Sequence, residues 1–297
     1  VPGFVDALRQ ETERVDFRAR ARALAELVRA RAPDVLCLQE VALWRGAGAN
    51  PRAAGAADQD FLAILLAELE RAGLHYETAV VGENERVTLP SERHGLVTFT
   101  DRNVILTKRA TVRTTFTGTG RFARQHRVKH GRLRFVFQRG WVFADVHKNG
   151  HTVRVFNPHL DTSSTVRLEQ AKELLALAQR FAGPTIIAGD FNQNPDRDRA
   201  FAKVIAAHGF VDAFRVLVHA PGPTCCRRDL AREEDRLSTR VDLVLSSRQL
   251  RARRAERMGA DTASRALLQG RRLWISDHVG VFAELGFAPA GSSTPRY

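Results

Sequence analysis

The chain is poor in several residue types, and each shortage narrows what it can be. Among 297 residues there are three Cys, one Met and two Tyr. Three thiols cannot build a disulfide framework. Cys37 stands inside an apolar run and reads as a small core residue. The adjacent Cys225 and Cys226 have a spacing that strains a mutual disulfide and falls short of the four spaced ligands of structural zinc, so both read as packing residues. The redox compartment stays open. Runs of roughly eighteen or more apolar residues are lacking, and the opening Val1-Pro-Gly-Phe has neither a basic nor an apolar signal region. No spanning helix is expected. The only Met is Met258, so Val1 reads as a processing or truncation point, and export is one origin of such an end.

Charge is unevenly supplied. The net charge is +13, yet 41 of the 46 cations are Arg, a bias that genomic base composition alone can produce. Distribution says more than total. Residues 102–144 hold eleven Lys or Arg, with His126 and His130, and no Asp or Glu. Such a stretch is either a solvated face or a track for a polyanionic backbone. Arg248, Arg251, Arg253, Arg254 and Arg257 repeat the pattern on a smaller scale. Aromatic content of 7% offers few platforms on which bases could stack.

A hydrophobic fraction of 44% supports a large core, and one domain over residues 1–287 is favoured over two smaller ones. Helical spacing runs from 17 to 31 and ends at Pro33, which forces extension into a strand at 34–39. An Ala/Gly-rich loop fills 46–57, and a second helix runs from Gln59 to Arg71, closed by Gly73. Short strands are expected at 75–81, 96–99, 103–107, 132–137 and 141–147, with Lys148-Asn149-Gly150 turning into the strand that ends at Asn157. Thr165–Phe181 reads as a covering helix capped by Ser163 or Ser164, and 198–207 as a shorter one. Residues 221–239 form the longest irregular stretch, and the Pro/Ser/Gly-rich tail 288–297 reads as disordered.

Four apolar segments end abruptly in polar groups: Asp34-Val-Leu-Cys-Leu-Gln39-Glu40, Val153-Arg-Val-Phe-Asn157-Pro-His159, Pro184-Thr-Ile-Ile-Ala-Gly-Asp190-Phe-Asn192, and Trp274-Ile-Ser-Asp277-His278. Half-buried polar groups of this kind are costly unless paired, hydrogen-bonded or bound to a cation. Four such strand ends in one chain favour a single assembled site. Glu40 is an acceptor-only carboxylate suited to Mg²⁺, or Mn²⁺, and Asp277 is a second hard-cation ligand or its outer partner. His278 is suited to phosphate contact or proton transfer near neutral pH. Asp190 and Asn192, two apart in an extended segment, would face one side together.

In order and spacing these motifs, with Thr239-Arg240-Val241-Asp242, resemble the endonuclease/exonuclease/phosphatase superfamily from about Asp34 to Leu285. The resemblance implies an α/β fold, a four-layer α/β/β/α sandwich of two mostly antiparallel sheets flanked by helices, as in deoxyribonuclease I. It implies that Asp242 orients His278, that Asp190 orients or deprotonates the attacking water, and that Asn192 donates to the developing oxyanion. His159 would donate to a phosphate oxygen or assist the leaving group. Pro158 stands where the family often carries Thr. Family members usually begin with a strand ending in a metal-holding Asn, which has no counterpart before Asp34, where Asn50 is the only Asn of the first eighty residues. The expected activity is that of a Mg²⁺-dependent phosphodiesterase of nuclease type, acting as a monomer, with residues 102–144 contacting nucleic acid. The rivals are a sphingomyelinase-like or inositol-phosphate phosphoesterase and a noncatalytic phosphate-binding module.

Overall fold

A computed structural model describes residues 2–47, 59–92, 95–130 and 133–288. Asn50, most of the Ala/Gly-rich loop and the tail from 289 lie outside the described residues. In chain order the elements are α1 (Pro2–Arg14), α2 (Phe17–Arg29), β1 (Val35–Leu38), β2 (Leu43–Ala47), β3 (Gln59–Asp60), α3 (Phe61–Arg71), β4 (Tyr76–Ser91) and β5 (Gly95–Lys108). There follow β6 (Arg113–Arg121), β7 (His126–His130), β8 (Leu133–Phe137), β9 (Gly140–Lys148), β10 (His151–Pro158), α4 (Ser164–Gln179) and β11 (Thr185–Asp190). The last are α5 (Arg199–Ala207), β12 (Phe210–Asp212), α6 (Ala213–Leu217), β13 (Asp242–Ser247), β14 (Leu250–Met258), β15 (Ala266–Leu268), β16 (Arg271–Leu273) and β17 (Gly280–Phe287).

Two sheets face each other. In the first, β4 runs along one edge of β5 while β1 and β2 share its other edge, and β3 pairs with β2. The second has the order β12-β13-β11-β10-β9-β6, antiparallel except for the β10–β11 pair. Val80, Ile105, Val142, Ala144 and Val155 fill the space between them. On the outside of the first sheet, Ala21, Ala25 and Val28 of α2 and Leu65 and Leu69 of α3 pack on Val104 and Leu106. On the outside of the second, Ala171, Leu174 and Leu175 of α4 and Phe201 of α5 meet Phe156, Ile187 and Leu245. Each fully buried Leu or Phe contributes about 1.5–3 kcal/mol. The result is the expected four-layer sandwich. Among the described residues no helix is long and apolar enough to cross a membrane.

Local signals explain most boundaries. Asp16, Asp60 and Asp198 cap α2, α3 and α5 by accepting backbone N–H groups, and Gly73 ends α3 at positive φ. Asn149 and Gly150, both at positive φ, make the β9–β10 turn. Ser163 occupies the N-cap of α4 but forms no side-chain cap bond; its own N–H instead donates to Asp161 Oδ1.

Several expectations need correction. Gly46 and Ala47 finish a strand opposite Val97 and Leu96. The short strands expected at 75–81, 96–99 and 103–107 are parts of the long β4 and β5, in whose polar middle Asn84 Nδ2 donates to Asp101 Oδ2 and Asn103 Oδ1. β6 is not among the expected strands; a Cβ at its Gly118 or Gly120 would strike the rings of Phe143 and Trp141, so the glycines admit those rings. α1 carried no signal singled out above, and it docks through Val5 beside Ala42, Trp44 and Val97.

Candidate active site

Strand polarity explains why distant motifs meet. β1, β10 and β11 deliver the residues at their C-terminal ends to one rim, and β13, antiparallel to β11, brings its first residue to the same place. Asp190 is therefore paired in register with Asp242. Pro158 O lies 2.3 Å from where a Cβ on Gly189 would be, so only glycine allows β10 and β11 to approach this closely beside the site. The next residue, His159, bridges to Asp190 in parallel fashion.

His278 Nδ1 lies 2.9 Å from Asp242 Oδ2. Asp190, Asp242 and His278 each offer a ligand or proton-transfer atom within 4.8 Å of the others. Burial pulls the His278 imidazole down, but the hydrogen bond and charge of Asp242, then Asp190 and Asp277, outweigh it and hold it up at about 9. Asp190 is buried beside the Asp242 carboxylate, and both effects raise its pKa against the pull of His278 and the Asn192 N–H. A nearly buried carboxyl thus holds its proton more readily than usual while the neighbouring imidazole stays charged.

The second imidazole is in the opposite condition. Buried, and facing Arg139 and His278, His159 is pushed well below the ordinary histidine value. Arg139 Nη1 donates to His159 Nδ1 at 3.0 Å. Because a guanidinium can only donate, Nδ1 accepts and the ring proton sits on Nε2. That Nε2 is 3.6 Å from Asp190 Oδ2. The site therefore sets a neutral, donor-ready imidazole on one side of Asp190 and a cationic one on the other.

Asn192 departs from the extended geometry expected of it. Its φ is 50°, its backbone N–H donates to Asp190 Oδ1 at 2.7 Å, and its Nδ2 donates to Leu160 O at 2.8 Å. The carboxylate turns the chain back on itself, an Asx turn, and Phe191 drops into the core instead of alternating out. Asn192 retains one side-chain N–H for a ligand. Asn194 shapes the same loop, its Oδ1 accepting the Asp196 N–H.

Glu40 also has positive φ, 53°, a strained state for a non-glycine residue that aims its carboxylate out of the β1 end. The carboxylate is open to solvent at the rim, yet the protein around it excludes much water. That burial, then the carboxylates of Asp101 and Asp277, raise its pKa, with Arg139 and His278 opposing. Asp277 is exposed, accepts from Ser276 Oγ at 3.2 Å, and its carbonyl holds the Arg227 N–H. Glu40 and Asp277 thus sit at the same rim but outside the tight Asp190–Asp242–His278 group.

The sequence profile of the Endonuclease/Exonuclease/phosphatase family matches residues 7–278. The chain belongs to that family. No curated protein matches. Among solved structures, a family protein from Leptotrichia buccalis is similar at 16% identity, TM-score 0.64, covering 90% of this chain and 93% of that one. The mannosyl-6-phosphatase Bt3783 of Bacteroides thetaiotaomicron is similar at 16% identity, TM-score 0.59, with 95% of each chain covered. D. rerio TDP2, complexed with a single-strand DNA product, is similar at 18% identity and TM-score 0.55, covering 92% of this chain and 96% of that one. At these identities the likenesses show the fold. Family membership places the chain among metal-dependent phosphoester hydrolases.

The donor set fits the divalent ion that the endonuclease/exonuclease/phosphatase family uses. Oxygen ligands crowd the rim, Glu40 is destabilised as an anion by burial and then by its acidic neighbours, and Asp101 Oδ1 is buried with no hydrogen-bond partner among the described residues. Excess carboxylate of this kind is relieved by a hard cation.

Sequence reasoning missed four contributors. Arg139 stood only among the eleven basic residues, although it fixes the His159 tautomer. Asp101 stands just before the acid-free stretch, and its signal was a polar trio, Asp101-Arg-Asn103, inside a strand. Thr224 Oγ1 accepts the N–H groups of Val241 and Asp242, fastening the 221–239 segment to the start of β13. Cys226 is exposed, not packed, with Sγ 3.7 Å from His278 Nε2; only Cys225 is a core residue. Arg240 is buried and holds both Asp196 and Asp212, anchoring the loop that follows Asn192. Arg102 likewise belongs to the interior, bonded to Asp60 and to Val41 O, so the basic stretch is not one continuous surface.

Proposed function

We propose that the protein is a Mg²⁺-dependent phosphodiesterase of nuclease type. The observation that carries this reading is the pairing of a neutral His159 and a charged His278 across Asp190. Glu40, with Asp277, would hold the ion, and Mg²⁺ when bound would neutralise charge on the nonbridging oxygens. Asp190, its proton affinity raised, orients and accepts a proton from the attacking water. His278, kept charged by Asp242, donates through Nε2 to a phosphate oxygen, and His159 donates through its Nε2–H to the oxygen that leaves or to a second phosphate oxygen. Asn192 adds its remaining N–H to the developing charge. A polynucleotide is favoured over a small phosphoester by the β7–β8 hairpin, whose chain leads directly into Arg139. Arg127 and Lys129 are exposed on it, and Val128, Val136 and Phe137 stand in solvent between the charges. Basic groups interleaved with apolar ones suit a phosphate backbone and its bases.

The test is a substrate panel of supercoiled DNA, single-stranded DNA, sphingomyelin and a phosphoinositide, each with Mg²⁺ and with EDTA. Mg²⁺-dependent nicking of DNA is expected, abolished by Asp190→Asn or His278→Ala with unchanged circular dichroism. Lipid or inositol turnover without nicking would move the assignment to a smaller phosphoester. Inactivity on all four would favour a noncatalytic module.

A further inference from the structure

Outside the oxygen-rich rim lies a second set of donors of different chemistry. Cys225 Sγ, Cys226 Sγ and a His278 ring nitrogen fall within 4.8 Å of one another, and Cys226 Sγ is 3.7 Å from His278 Nε2. For ligands at about 2.3 Å (sulfur) and about 2.0–2.1 Å (nitrogen) around a tetrahedral ion, the sulfur–nitrogen edge is roughly 3.6 Å. That one edge matches, whereas the two sulfurs, joined to each other in the structure, separate to a tetrahedral spacing only once reduced. The segment is also held in place from both sides: Thr224 binds the backbone of Val241 and Asp242, the Cys225 N–H donates to Thr239 O, Arg227 N–H to Asp277 O, and Val279 N–H to Thr224 O. Asp242 takes the Nδ1 side of His278, which leaves Nε2 to face the sulfurs, the carboxylate–histidine–metal arrangement that fixes ring orientation in metal sites. Cys226 is exposed, so an ion has a path in.

We propose that the Cys225-Cys226 pair in its dithiol form, together with His278, binds a thiophilic divalent cation, Zn²⁺, and that this occupancy withdraws the His278 imidazole from phosphate chemistry. Soft thiolates and an imidazole select Zn²⁺, whereas the carboxylates of Glu40 and Asp277 select Mg²⁺, so the two cations are sorted by donor type and share only the neighbourhood of His278. A water completes the fourth position. In the structure the two sulfurs are joined as a disulfide. Two equivalents of a small-molecule thiol reduce it, giving two cysteine thiols and one external disulfide. Zn²⁺ then displaces a proton from each thiol and takes the Nε2 lone pair, releasing any proton there. Binding rests on the donor set and the sulfur–nitrogen distance; the inhibition rests on the role given to His278 above.

The experiment uses the full chain, stripped with EDTA and reduced with a thiol. Zn²⁺ is titrated in competition with a chromogenic chelator, and Co²⁺ reports thiolate ligation by its charge-transfer absorption. Reduced wild type is expected to bind stoichiometrically, and Cys226→Ser to bind roughly ten- to a hundredfold more weakly and without the charge-transfer band. Equal affinity and equal spectra in the two proteins would overturn the site. With Mg²⁺ saturating, Zn²⁺ should suppress hydrolysis by reduced wild type and spare Cys226→Ser, each measured against its own zinc-free rate. Zinc bound at full occupancy with hydrolysis unchanged would overturn the inhibitory half. A chain inactive on every phosphoester would defeat the functional assignment and leave the binding result standing.

Discussion

Replacing Asp242 by Asn removes one charge from the centre of the site and keeps its shape. In the wild type, burial lowers the His278 pKa and Asp242, with help from Asp190 and Asp277, lifts it to about 9 from an ordinary 6.5. A rise of that size corresponds to about 3.4 kcal/mol of preference for the charged ring. His278 is 26% exposed, so solvent screening trims the figure. With Asn in place the burial effect is no longer outweighed by its main opponent, and His278 should titrate at or below 6.5. The folded value lies above the unfolded one, so the pair's stabilisation is fully present below the unfolded pKa and is lost as pH rises through about 9. Asp242→Asn should therefore cost about 2–3 kcal/mol near pH 6 and much less near pH 10. Histidine side-chain NMR titration of metal-free protein and urea melts at both pH values read the two effects. A His278 that still titrates near 9 in the variant, or a destabilisation that ignores pH, would refute the reasoning.

The remaining predictions concern the frame around that pair. Arg139→Met frees His159 Nδ1 and should lower the hydrolysis rate roughly ten- to a hundredfold with little change in melting temperature, while shifting the pH–rate profile. Arg240→Met takes from Asp212 its ion-pair partner, while Asp196 keeps Arg215, and should cost about 3 kcal/mol in urea unfolding. Gly189→Ala sets a methyl against Pro158 O and should lose about 1–3 kcal/mol together with activity, measured by thermal melts and nicking assays. Asp190→Asn removes a buried carboxylate whose ionisation opposes folding. That cost is complete above the raised folded pKa and vanishes below the unfolded one, so the metal-free variant should melt higher than wild type near pH 8 and equally near pH 3, while hydrolysis is lost.

How far the sequence discloses this molecule depended on whether a signal was local. Asp60, Asp198 and Gly73 punctuate their helices as isolated chemistry dictates, and the apolar runs before Glu40, His159 and Asp190 carry the strands that assemble the rim. The separation of His278 from Asp242 by 36 positions was legible only through motif order. What stayed hidden was set by tertiary partners. Nothing within 118–120 says that its glycines receive the rings of Phe143 and Trp141, and nothing around Asn192 says that Asp190 will claim its N–H. Arg139 and Cys226 looked generic because what makes each functional is a histidine brought to it by folding. The mixed interior and exterior placement of residues 102–144 has the same cause, since Arg102 finds Asp60 across the first sheet.

The most direct test of one ion-centred phosphoester site is an anomalous difference map from crystals soaked in Mn²⁺. A single peak within bonding distance of the Glu40 carboxylate, at the rim shared by Asp190, Asp242 and His278, is the predicted result. A peak remote from Glu40, or none at saturating Mn²⁺ with the rim open to solvent, would contradict it.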